Sequence, residues 1–133
     1  MEYPLTGLLP TALLIDLPEI DVQHEEIFRR IETLKNSSFG SGPVSLDEFH
    51  SLLDYLEWHF TSEERLARQL GVDFADHASA HDENLRMLRK GLAAVHDGLQ
   101  DVHSFLRYAE YWFERHITDE DKPFAARLRE RIA

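Results

Sequence analysis

The stretch His59-Phe60-Thr61-Ser62-Glu63 decides how this sequence is read, together with His77-Ala78-Ser79-Ala80-His81 further along. In each, two side chains able to bind a metal stand four residues apart. On an α-helix that spacing puts both on one face, about 6 Å apart along the axis. Two successive helices carrying such pairs can aim four ligands into a shared interior, which is how helix bundles build metal sites.

The flanking sequence supplies the helices. Around the first pair, Phe49, Leu52, Leu53, Leu56, Phe60, Leu66 and Leu70 keep helical spacing. Ser45 with Glu48 reads as a capping box that opens this helix, and Gly71 ends it. The second pair leads a stripe of Leu85, Leu88, Leu92 and Val95, on a helix from about Phe74 or Asp76 to Val95 that Gly91 weakens slightly. Upstream, Ile20, Ile27, Phe28, Ile31 and Leu34 mark a helix from Pro18 or Glu19 to about Asn36, with His24 in its apolar stripe. A polar, glycine-bearing loop, Asn36 to Pro43, follows it. Downstream, the turn His96-Asp97-Gly98 leads to a helix from about Leu99 to Ile117, which carries Val102, Phe105, Leu106, Ala109, Trp112, Phe113 and His116 inward. Pro123 should stop or bend that helix before Asp121 and Lys122, leaving a short terminal helix to about Arg131. No strand-like alternation is present.

The expected fold is therefore all-α. It is an antiparallel up-down-up-down four-helix bundle with an N-terminal arm and a short C-terminal helix. At 133 residues the chain forms a single domain: arm 1–18, bundle 19–117, terminal segment 118–133.

Of eight histidines, five fall on faces expected to be buried: His24, His59, His77, His81 and His116. One histidine on an apolar stripe is more often a hydrogen-bonded core residue than a ligand. Five imidazoles and the Glu63 carboxylate converging from four helices are different, because each buried polar group without a partner costs a few kcal/mol. A metal site satisfies them together. Asp121 stands five residues after His116, a rotation of about 140° from it on an ideal α-helix, and joins the site only if the helix ends or bends between them. His50, His96 and His103 are expected at the surface.

Bulk composition narrows the function. There is no cysteine, which fits a reducing compartment and excludes thiolate zinc and iron–sulfur sites. The formal charge of −11 argues against nucleic acid and anionic membranes as partners. The N-terminus is interrupted by Pro4, Pro10 and Pro18 and lacks the basic segment of a signal peptide. No apolar run approaches the roughly 18 residues of a membrane span. A cytoplasmic location is expected; no protein partner can be named.

Ile20-Asp21-Val22-Gln23-His24, His59-Phe60-Thr61-Ser62-Glu63-Glu64, His77 with His81, and His116-Ile117 through Asp121 together resemble the hemerythrin family, specifically its short bacterial single-domain members. The resemblance spans about residues 17 to 125 and covers all seven positions of the family's ligand pattern. It implies two non-heme iron ions bridged by Glu63, Asp121 and an oxo or hydroxo group. His77, His81 and His116 would hold one iron, and His24 and His59 the other. The two-histidine iron would keep an open position where O2 binds reversibly as hydroperoxide, within an apolar pocket of Ile27, Phe60, Trp112, Phe113 and Ile117. Two departures stand out. Many relatives carry a tryptophan in the N-terminal arm where this chain has Leu8, Leu9 and Pro10. At position 113 they commonly have leucine, so the larger Phe113 should alter O2 access and the lifetime of bound O2.

The residues themselves agree with iron, because imidazole and carboxylate suit it and seven protein ligands suit a pair of ions. Five neutral ligands to two anionic ones should favour reversible O2 binding over O–O cleavage. The expected function is that of a binding protein for O2, in carriage, storage or delivery, and not of an enzyme. The alternatives are an O2 or redox sensor acting through a partner, or a di-iron enzyme reducing peroxide or nitric oxide.

Overall fold

The computed structural model describes residues 9–38 and 46–132. Helices α1 (Pro18–Ser38), α2 (Leu46–Leu70), α3 (Ala75–His96) and α4 (Val102–His116) form the bundle, and a π turn (Ile117–Asp121) carries α4 into α5 (Lys122–Ile132). Sequential helices pack on one another and α4 closes the ring against α1, the antiparallel arrangement expected from four amphipathic helices.

Local chemistry sets the boundaries. α1 opens on Pro18, whose missing N–H is harmless in a first turn, with Glu19 and Asp21 beside the positive helix end. α2 and α3 end alike. After α2, Gly71 donates to the Arg68 carbonyl and Val72 to that of Ala67; after α3, Gly98 donates to Val95 and Leu99 to Ala94. Both glycines have positive φ, so these are Schellman ends. The second end corrects the expected start of α4: Leu99 is committed to capping α3 and is 81% exposed, and Asp101 caps α4 by accepting from the Ser104 amide at 2.9 Å. Asn36, Ser37 and Ser38, read as loop, prolong α1. Ser45, read as the cap of α2, lies outside the described residues, as do loop residues 39–43.

Gly91, read as a weak point, is where α4 comes closest to α3. A Cβ there would meet the Phe105 ring at 2.9 Å.

Among the described residues of the arm, 9–17, one 3-10 turn forms at Thr11–Leu13, and Leu9, Leu13 and Ile15 are buried. Both flanking helices hold it. Glu25 accepts from the Leu9 amide at 2.7 Å and Asp21 from the Ile15 amide at 2.9 Å. From α5, Arg129 donates to the Ile15 carbonyl at 2.7 Å and Lys122 to that of Ala12.

Apolar packing is divided. The main core fills the bundle with residues such as Ile31, Phe49, Leu52, Leu88, Phe105 and Leu106. A second cluster, Ala67, Phe74, Phe124 and Leu128, joins α5 to the α2–α3 end. Among the described residues no helix is long and apolar enough to cross a membrane.

Candidate metal centre

α1 supplies His24, α2 His59 and Glu63, α3 His77 and His81, α4 His116, and the π turn Asp121. All seven side chains are buried. Their potential ligand atoms form two overlapping groups, each within 4.8 Å: Glu63, His77, His81, His116 and Asp121 in one, His24, His59, Glu63 and Asp121 in the other. Glu63 and Asp121 belong to both.

The two carboxylates lie between the groups. Asp121 Oδ1 is 3.0 Å from His77 Nε2 and 3.3 Å from His116 Nε2, and its Oδ2 is 3.2 Å from His24 Nε2. Glu63 Oε1 stands 3.3 Å from His81 Nε2 and 3.6 Å from His59 Nε2. Asp121 reaches this place because of the π turn. A five-residue offset that is off-face on an α-helix is one full turn when bonding runs i→i+5. The break expected at Pro123 is therefore a widened turn, with no interruption of the helix.

Outer contacts orient the rings. His59 Nδ1 donates to Gln23 Oε1 at 2.6 Å, which leaves its Nε2 lone pair for the cluster. Glu120 Oε2 lies 3.2 Å from His116 Nδ1. Phe60 stacks on His81 at 3.8 Å, Trp112 on His116 at 4.6 Å and Phe74 on His77 at 4.4 Å. Phe113 presents its edge to His24 at 5.4 Å. The residues read as one O2 pocket are spread over both groups. Phe60 and Trp112 stack on the three-histidine group, and Phe60 also lies 5.6 Å from His59; Phe113 flanks His24 and His59 and also lies 6.3 Å from His116; Ile27 and Ile117 are fully buried in the core. Between α2 and α3 a groove of about 250 Å3 reaches Phe60 and His81.

Electrostatics here are those of a dry, crowded site. Burial holds His59 and His81 well below the usual histidine range, helped by neighbouring imidazoles. Burial and the Asp121 charge push Glu63 well above 4.5. Asp121 stays well below 3.8, because the His116, His24 and His77 rings outweigh its burial. Burial would lower His116 too, but Asp121 and Glu120 raise it to about 9.

The donor set fits metal ions. Both oxygens of Glu63 and of Asp121, both ring nitrogens of His24, and His59 Nε2 are buried without a hydrogen-bond partner within the described chain. Three Nε2 atoms, of His77, His81 and His116, come as close as 2.9 Å and 3.3 Å. One N–H cannot satisfy three lone pairs aimed at a common point, whereas a cation can.

His50 and His96 are exposed and His103 is half-buried. The sequence reading assigned no role to Gln23, Glu120 or Asn84. Glu120 could have been found, four residues after His116, and Asn84, seven after His77; Gln23 has no periodic signal.

A family model described as the hemerythrin HHE cation binding domain matches residues 16–128. A search of curated proteins finds no match.

Proposed function

The chain belongs to the hemerythrin family, and from that premise we propose that it binds O2 reversibly at a pair of iron ions, for carriage, storage or delivery. His77, His81 and His116 would hold one ion and His24 and His59 the other, with Glu63 and Asp121 bridging them. An iron pair supplies two electrons to O2 and recovers them on release. The observation that carries this reading is the unequal sharing of ligands. Two groups share both carboxylates, but one contributes three imidazoles and the other two, so the second side is left one ligand short. Phe113 lies against that side and excludes water that would displace bound O2. Gln23 fixes the His59 ring towards it.

The test is the visible spectrum of the reduced protein before and after air, with iron counted per chain. Two irons and a coloured adduct that bleaches under vacuum are expected. Immediate conversion to a stable ferric spectrum would replace this reading with redox sensing or peroxide chemistry.

A further inference from the structure

Asn84 is 1% exposed, and neither its Nδ2 nor its Oδ1 has a hydrogen-bond partner within the described chain. It belongs to the inward stripe of α3: three residues past His81 is about 4.5 Å along the axis, and seven past His77 returns to within about 20° of that residue's direction. Helix polarity decides at which end of the cluster, along the bundle axis, this lies. In an antiparallel bundle the turn after His24 on α1, before His59 on α2, after His81 on α3 and before His116 on α4 form one layer. Its other buried members are Ile27, Phe28, Leu56, Leu85 and Phe113, all hydrocarbon. Asn84 is the buried polar side chain among them. Phe113 of the same layer lies against His24 and His59 and also against His116, so the layer faces both groups of the cluster.

An amide enclosed by hydrocarbon with nothing to bond destabilises the fold, and leucine has much the same branched shape without that penalty. The amide makes sense if its partner is a ligand that comes and goes. We propose that Asn84 is a hydrogen-bond donor to a small ligand held at the end of the cluster that this layer faces, dioxygen or an anion of similar size, with azide as the accessible probe. The proposal rests on the reading of the cluster as an O2-binding iron pair. It gives the pocket one polar contact that selects among two- and three-atom ligands.

The test is an azide titration of the full, iron-loaded, oxidised chain, followed by visible absorption, for the native protein, Asn84→Leu and Asn84→Ser. At two irons per chain, Asn84→Leu is expected to weaken azide about tenfold, the worth of one hydrogen bond to a charged acceptor, with Asn84→Ser between. In the metal-free chain Asn84→Leu should raise the melting temperature, since it removes a buried amide that nothing among the described residues satisfies. Equal azide affinity in all three, or a lower melting temperature for the leucine variant, overturns the assignment and leaves the iron reading intact. A native chain that takes up no iron overturns both.

Discussion

Gln23 shows how much of a metal centre rests on residues that never touch the metal. Its carbonyl oxygen accepts from His59 Nδ1 at 2.6 Å, and both groups are buried, so the ring is held in one tautomer and one orientation. Without that acceptor the Nδ1–H would be buried and unpaired, and the ring free to turn its other nitrogen inward. Gln23→Leu should therefore weaken iron binding about 10- to 100-fold at the two-histidine side. Competition with a chelator measures this, and unchanged retention of both irons would show that packing alone orients His59. That His59, Glu63, His77 and His81 face one interior was legible because four-residue spacing on apolar stripes is a strong pattern. Gln23 was not, since a glutamine beside a histidine reads equally well as solvated surface. Asn84 was hidden in the same way, between Glu83 and Leu85, where the local run is polar.

At the scale of elements, two features depart from regular helix and both serve position. The π turn inserts one residue between His116 and Asp121, and this extra residue brings the carboxylate onto the histidine face. Periodicity at 3.6 residues cannot predict that, because the turn is stabilised by what Asp121 finds in the interior and by the missing N–H of Pro123. Pro123 was legible as a disruption, though not its form. Gly91 serves the approach of α4 to α3, the helices that carry His116 and the His77–His81 pair. Intrinsic propensity favours Gly91→Ala by up to about 1 kcal/mol. Against this, the added methyl would sit 2.9 Å from the ring of Phe105, itself 2% exposed and unable to swing away. Overpacking of this kind costs about 1–3 kcal/mol, so the steric effect wins. Gly91→Ala should lower the melting temperature by roughly 4 °C. A rise would mean that the α3–α4 contact yields freely.

Taken whole, the molecule encloses a polar centre between the bundle core and the smaller cluster that α5 completes, and its stability must follow the protonation of that centre. Below pH 6.5 an unfolded chain protonates His59 and His81, whereas the folded metal-free chain keeps them neutral by burial. Glu63 works oppositely: above its usual 4.5 the unfolded chain ionises it while the folded chain holds the proton. Between pH 6.5 and 4.5 the two imidazoles outweigh the one carboxyl. The unfolded chain then binds more protons, and stability falls as pH falls. Above 6.5 the sign reverses. His116, raised to about 9, holds in the folded chain a proton that the unfolded chain has released, so stability falls as pH rises through that range. Each unmatched proton is worth about 1.4 kcal/mol per pH unit. The cluster therefore gives the metal-free protein a stability maximum near pH 6.5, seen as melting temperatures at pH 5.5 and 8.5 both below that at 6.5. A bound metal ion would take the place of those protons, because its ligands must be deprotonated. The loaded protein should accordingly lose the alkaline decline and keep a steeper acid one, where protons compete with the metal. An alkaline plateau already present in the metal-free chain would mean that Asp121 and Glu120 do not hold a charge on His116.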